Sequence, residues 1–318
     1  MKHILIVSIA LSLFFSLPAQ QDIDSFKNEV AERLSFFPEK TEIAVAIIKN
    51  DSTQFFGWRK EGSEMQPVNN ANSVFEIGSI TKVFTSIILA NGVLAQQVTL
   101  DETVNDYIDF DLPDNIQFTF KQLANHTSGL PRMPDNFSFS AMKSPLNPFK
   151  SYDEELLNKY LSKTLKLVTP AGETYAYSNL GAGLLGHLMT KISKTSYEQL
   201  LDSLITEPYK MTQTTTIRSN ISDHLVTGLN AAGKDTPNWD FQVIVAAGGI
   251  LSSVHDLSLF ARAQFDLENE DLKLTQQTTF EGPSKIDMGL GWHIVDDNSE
   301  ALIIERYNRK FLKENLSF

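Results

Sequence analysis

The sequence contains no cysteine among its 318 residues. Disulfides, thiol nucleophiles and cysteine-ligated metals are therefore excluded, while compartment is left open. Positive charge is scarce: 27 Lys and Arg stand against 39 Asp and Glu, for a formal net charge of -12. Phosphate backbones need a basic face, so nucleic acid is not an expected partner. No apolar run reaches the roughly 20 residues of a comfortable membrane span. The histidines lack metal-ligand spacing such as H-E-x-x-H, and neither a metal nor a cofactor is expected. There is no internal repeat and no low-complexity tract. What remains is an ordinary globular balance, 42% hydrophobic and 21% charged, in a chain long enough for one large domain or two modest ones.

The N-terminus carries a compartment signal. Lys2 and His3 precede a run from Ile4 to Leu17 that is apolar apart from Ser8, Ser12 and Ser16, and the run ends Leu17-Pro18-Ala19-Gln20. This charged, apolar, small-residue order is that of a secretory signal peptide over 1–19, with cleavage expected after Ala19 and an uncleaved anchor as the alternative. Export to the periplasm or beyond follows, with no stable membrane span after cleavage.

Further along, Ser25 to Phe36 has amphipathic helical spacing. Thr41 to Lys49 is rich in β-formers, Asn50-Asp51-Ser52 supplies a turn, and Thr53 to Trp58 resumes the strand, so a hairpin is predicted. A polar loop to Ser73 follows. Helical patterning then dominates to Leu204, broken by a loop with Pro131, Pro134, Pro145 and Pro148; from Thr227 Gly and β-formers return. Strands, helices, then strands predict an α+β fold in one domain over 20–318. Its sheet lobe takes 20–75 and 235–318; its helical lobe takes 76–234.

Two short patterns carry chemistry. In Gly78-Ser79-Ile80-Thr81-Lys82 the serine stands at the start of an apolar helical run. Ser79 and Lys82, three residues apart, share one helix face. A serine hydroxyl becomes a good nucleophile when a neighbouring base takes its proton. A lysine can be that base once burial or nearby positive charge lowers its pKa. The bland alternative is that Ser79 caps the helix. The spacing alone is weak, since Ser140-Ala141-Met142-Lys143 repeats it in the Pro-rich loop. The second pattern, Tyr177-Ser178-Asn179, is the only Tyr-x-Asn in the chain. In an extended or turn segment residues two apart point the same way, so a phenol and a carboxamide would face one cleft. The phenol can act as a general base, and the carboxamide can donate to and accept from a substrate amide.

Together these patterns resemble the first two motifs of the serine β-lactamase and penicillin-binding protein superfamily, in its class C, esterase and D-aminopeptidase branch. Phe75-Glu76-Ile77-Gly78-Ser79-Ile80-Thr81-Lys82, Leu100-Asp101-Glu102-Thr103-Val104, Tyr107-Ile108, Leu123 to Pro131 (L-A-N-H-T-S-G-L-P), Ala247-Gly248-Gly249-Ile250-Leu251-Ser252-Ser253 and Gly289-Leu290-Gly291-Trp292 are similar to that branch too. The resemblance runs from Thr41 to Trp292. It implies a β-lactamase-like fold and a double displacement. Ser79 would form an acyl-enzyme, Lys82 and Tyr177 would handle its proton, and Asn179 would bind substrate. β-Lactams, D-amino-acid peptides and small esters are the implied small-molecule or peptide substrates.

One part of the pattern is absent. The branch carries a third motif, Lys-Thr-Gly or His-x-Gly, which helps to form the oxyanion hole. This chain has no Lys-Thr-Gly, none of its six histidines is followed two residues later by Gly, and Gly291 is its last glycine. The expectation is a C-terminal truncation that removes the last strands and a packing helix. Ala301 to Phe318 would remain as a short amphipathic helix. A catalytically impaired protein that binds peptide or wall fragments without turnover is the alternative function.

Two patterns are set aside. Gly181-Ala182-Gly183-Leu184-Leu185-Gly186 matches G-x-G-x-x-G but has no strand before it, so close helix packing is the expected use. His126 is expected to be a structural loop residue and His293 not a ligand.

Overall fold

The computed structural model describes residues 4–8, 32, 37–49, 52–266, 268–282, 286–296 and 301–304. The architecture is α+β with antiparallel sheets, the class expected from the sequence. The helix predicted over Ser25–Phe36 lies outside the described residues apart from Glu32.

The predicted hairpin is present. Strand β2 (Glu42–Lys49) pairs antiparallel with β3 (Ser52–Glu61), from Glu42 opposite Arg59 to Lys49 opposite Ser52. Strand β1 (Ile4–Ser8), inside the segment read as a leader, runs antiparallel along the other side of β2. The stretch predicted as a polar loop contains β4 (Glu64–Pro67), which pairs with β3 around a two-residue turn at Gly62 and Ser63. Alternation along β2 sends its side chains to two different layers. Ile43 and Val45 pack with Trp58, while Ala44 and Ala46 pack with Val254. Val254 opens helix α8 (Val254–Ala263), so an element late in the chain backs the N-terminal sheet.

The core centres on helix α1 (Thr81–Leu94). Eleven of its residues, polar ones included, are buried. A helix enclosed on all sides needs apolar residues all round, and Val83, Phe84, Ile87, Ile88 and Leu89 supply them. Phe84 stacks on Phe260 of α8 with ring centroids 4.2 Å apart.

The other described helices are α2 (Phe120–Ala124), α3 (Phe137–Lys143), α4 (Glu154–Lys163), α5 (Asn179–Ser193), α6 (Tyr197–Leu201), α7 (Glu207–Tyr209) and, beyond α8, α9 (Glu270–Thr275); α2, α5, α6 and α9 pack against α1. In α5 the G-x-G-x-x-G pattern is a packing surface, as expected. A Cβ on Gly183 would come within 2.5 Å of Ile244 Cβ, and one on Gly186 would overlap Ala246.

Short strand β5 (Val74–Glu76) leads into the Ser79 turn and pairs with β8 (Leu251–Ser253). Between them in sequence, β6 (Gly228–Leu229) pairs with β7 (Asp235–Thr236). Strands β9 (Ile286–Met288), β10 (His293–Asp296) and β11 (Ala301–Ile304) form a separate antiparallel sheet. Ala301–Ile304 is thus strand where helix was predicted: A-L-I-I ends in two β-branched residues, which favour a strand where the edge of β10 is there to pair with. The rest of that predicted helix lies outside the described residues.

Candidate active site

Ser79 is placed by a sharp exit from β5. The Ile77 amide donates to Ile250 O at 3.2 Å, and Gly78 then turns the chain with φ +53°. This left-handed conformation is cheap only without a Cβ. A 3-10 turn, Gly78–Ile80, follows and runs straight into α1. Neither the turn nor α1 has a side-chain cap, so the capping account of Ser79 fails.

The Ser79 hydroxyl instead meets two distant groups. Its Oγ is 2.6 Å from the Tyr177 hydroxyl oxygen, and Lys82 Nζ donates to it at 3.0 Å. Lys82 is only 4% exposed, and its ammonium nitrogen also donates to the Ala247 carbonyl at 2.5 Å. The same nitrogen lies 4.9 Å from the Tyr177 ring centroid. Two protonatable groups within hydrogen-bond reach of one hydroxyl can take its proton and return it to a leaving group.

The Ala246–Ile250 segment is tethered to α1 on either side of Lys82. Thr85 donates to Ala246 O at 2.8 Å, and the Ile250 amide donates to Thr81 Oγ1 at 3.2 Å. Tyr197 bonds the Thr85 hydroxyl at 2.8 Å, and burial pushes its phenol up. From the other side, the Gly289–Trp292 segment closes on α1. Gly291 has φ +75°, and a Cβ there would sit 2.9 Å from Lys82 O and 2.7 Å from Ser86 Oγ.

Tyr177 is held by a backbone zipper. His126 O accepts from Ala176 N (2.8 Å), Thr127 O from Gly172 N (2.7 Å), and Arg132 O from Asn179 N (3.0 Å). Ser178 caps α5 by accepting from Gly181 N, and its hydroxyl donates to Pro131 O. The loop read as a family resemblance, Leu123 to Pro131, together with Arg132 directly after it, is thus the template on which the Tyr177 segment lies.

His126 is buried, with its ring centroid 4.5 Å from that of Tyr177. Its Nδ1 accepts from the Ser178 amide at 3.2 Å. Burial first, then the positive charges of Lys82, His293 and Arg132, hold its imidazole well below the usual range. A neutral ring accepting at Nδ1 carries its proton on Nε2. Tyr175 packs edge-on against His126, and its hydroxyl is 3.1 Å from His293 Nε2.

The structure therefore brings Ser79, Lys82 and Tyr177 into one triangle. The extended or turn segment predicted from sequence ends at Ser178, and Asn179 is the first residue of α5. The helix starts there because Ser178 caps it. The Ser140 copy also lies on a helix, α3, where a loop was predicted; its hydroxyl donates to Pro148 O and Lys143 is exposed. Sequence reasoning missed the Ala247 carbonyl and Arg132. A backbone carbonyl leaves no residue-type signal. Arg132 gave only its position directly after L-P in the 123–131 stretch.

The chain is similar in sequence and fold to known proteins. A family model described as Beta-lactamase matches residues 37–306. A beta-lactamase of Psychrobacter immobilis is 23% identical over 95% of this chain and 79% of its own length. D-Alanyl-D-alanine-carboxypeptidase/endopeptidase AmpH of Escherichia coli K12 is 26% identical over 82% of this chain and 71% of its own. Among solved structures, an octameric penicillin-binding protein homologue from Pyrococcus abyssi superposes with a TM-score of 0.74 at 23% identity, covering 89% of this chain and 67% of that one. A beta-lactamase/D-alanine carboxypeptidase from Pseudomonas syringae gives 0.70 at 18% identity, covering 87% and 75%. With the family model spanning most of its length, and its relatives being serine hydrolases, the chain belongs to the beta-lactamase family.

Proposed function

We propose that this chain is an exported serine hydrolase that forms an acyl-enzyme on Ser79. The observation that carries this reading is the 2.6 Å and 3.0 Å contacts of Ser79 Oγ with Tyr177 and Lys82. The hydroxyl proton leaves along one of these contacts, to the amine of Lys82 or the phenolate of Tyr177, as Oγ bonds to the substrate carbonyl carbon. The accepting group then returns the proton to the departing amine or alcohol. Water or another acceptor releases the acyl group in the second half of the cycle. The Ser79 amide serves as one oxyanion donor, and Asn179, at the start of α5, binds the substrate amide.

The substrate classes are β-lactams and D-amino-acid peptides, on which relatives act by name, and small esters, whose carbonyl the same serine nucleophile can attack. Export follows from the charged and apolar order of 1–19. Cleavage after Ala19 would remove β1 and leave the outer edge of β2 open. Among the described residues no helix is long and apolar enough to cross a membrane.

A second reading uses the same cleft without turnover: the chain would bind peptide or wall fragments, and Ser79 would take no acyl group. Intact-protein mass after incubation with a penicillin and with a serine-directed phosphonate separates the two. A mass gain that disappears in Ser79→Ala supports the hydrolase; a folded chain that gains no mass from either reagent leaves the binder.

A further inference from the structure

The −12 chain places two cations on one phenol. Lys82 belongs to the triangle already described. The other is Arg132, whose guanidinium carbon lies 4.9 Å from the Tyr177 ring centroid. Arg132 is partly buried. No Asp or Glu among the described residues forms an ion pair with it, although Arg218, Arg59 and several lysines do have such partners. Its charge is felt in the site, since it helps to hold the His126 imidazole neutral.

The backbone of Arg132 is also fixed. Its carbonyl accepts from both Asn179 N (3.0 Å) and Leu180 N (3.3 Å), the first two amides of α5. The guanidinium thus projects from a rigid point beside Asn179 and over the ring whose hydroxyl touches Ser79. A guanidinium stacked on an aromatic face keeps its N–H edges available for a planar anion, which it binds bidentately. In a protein of strong net negative charge, an anionic substrate is otherwise repelled, and a local cation must supply the attraction. A partly desolvated charge that lacks an internal counter-ion is also costly unless a ligand provides one.

From this placement we infer that Arg132 forms an anion subsite at the rim of the cleft, so that the preferred substrate carries a carboxylate that docks over Tyr177. The inference rests on the Ser79 cleft being the substrate site, as proposed above, but not on turnover there. Arg132 would be a specificity residue: it binds a group that does not react.

The test uses two compounds, an acylated amino acid with a free carboxylate and its methyl ester, chosen to differ only in that charge. Binding is measured by calorimetry on the full chain in a Ser79→Ala background, with and without Arg132→Met. The free acid should bind more tightly than the ester, and Arg132→Met should weaken the acid about 10- to 100-fold, the range of a charge-assisted pair, while changing the ester by less than about threefold. Arg132→Lys, which keeps the charge but loses the fork, should retain part of the preference. Thermal melts establish that the variants are folded. Equal weakening of acid and ester would mean that Arg132 acts only through Tyr177 and would overturn the subsite. A chain that binds acid and ester alike, or neither, overturns it too. If the acid preference is present but wild-type Ser79 takes no acyl group, the subsite stands and the hydrolase reading is the one that falls.

Discussion

Ser79-Ile80-Thr81-Lys82 and Ser140-Ala141-Met142-Lys143 have the same spacing, and both lie at or on helices, yet their surroundings differ completely. Lys82 is 4% exposed and reaches Ser79, Ala247 and the Tyr177 ring. Lys143 is exposed at the end of α3, and Ser140 is turned inward to the Pro148 carbonyl. A serine and a lysine on one helix face become a reactive pair only when tertiary structure buries the lysine and adds a third group. In the first pair that group arrives from 98 residues away. The second pair sits on a seven-residue helix with no buried core helix to continue it.

The strongest way to break the comparison is to delete each serine. Ser79→Ala should abolish the covalent adduct with penicillin or phosphonate, whereas Ser140→Ala should leave it intact, both read by intact mass. Exchange of the lysines follows the same logic: Lys82→Met should reduce the acylation rate by orders of magnitude and Lys143→Met should leave it unchanged. An adduct that survives Ser79→Ala would move the nucleophile elsewhere.

The next effect is smaller and comes through packing. Gly291→Ala puts a methyl group against Lys82 O and Ser86 Oγ in a backbone region that L-residues avoid. Helix α1 must shift at the residue that holds the reactive amine. A 1 Å displacement of catalytic groups can cost about 100-fold, and overpacking destabilises by about 1–3 kcal/mol. Acylation rate and denaturant midpoint measure the two separately. An acylation rate within twofold of wild type would mean that the Gly289–Trp292 segment does not position Lys82.

A third prediction sharpens the role of the template under Tyr177. Unfolded His126 takes a proton below its ordinary value of 6.5, while the folded ring resists protonation because it is buried beside Lys82, His293 and Arg132. Below that pH the unfolded chain binds more protons, so stability falls as pH drops, by up to about 1.4 kcal/mol per unit. His126→Asn, whose Oδ1 can accept from Ser178 N in place of Nδ1, should flatten the stability profile between pH 6.5 and 5. His187 is also held low by burial and contributes its own acid limb, so the measurement is the difference between variant and wild-type profiles. Parallel profiles would show that His126 is not the group that titrates.

These outcomes bear on how much of the molecule could be read from its sequence. The hairpin β2–β3, the buried helix after Ser79 and the close-packed glycines of α5 were legible because each depends on neighbours in sequence: alternation, apolar content and small side chains. So were the three members of the triangle, although their meeting was implied by resemblance rather than by spacing. Strand β4 and the strand form of Ala301–Ile304 were not legible, because a polar or short aliphatic run becomes strand only when a partner edge is present. The Ala247 carbonyl that holds Lys82 was invisible for a different reason: every residue has a carbonyl, and only the fold selects one.

The smallest expected effect concerns the silent copy. Ser140 is buried, and its hydroxyl donates to Pro148 O at the far end of the loop that follows α3. A hydroxyl in such a position contributes about 1 kcal/mol through its hydrogen bond. Ser140→Ala should therefore lower stability by about 1 kcal/mol in denaturant unfolding, with no change in the slope and none in acylation by penicillin. Its counterpart, Ser79→Ala, should do the reverse: Ser79 caps no helix and its two hydrogen bonds serve the cleft, so reactivity disappears while stability holds or rises. A large loss of stability in Ser79→Ala would mean that the triangle is a structural lock rather than a reactive site, and the distinction between the two serines would collapse.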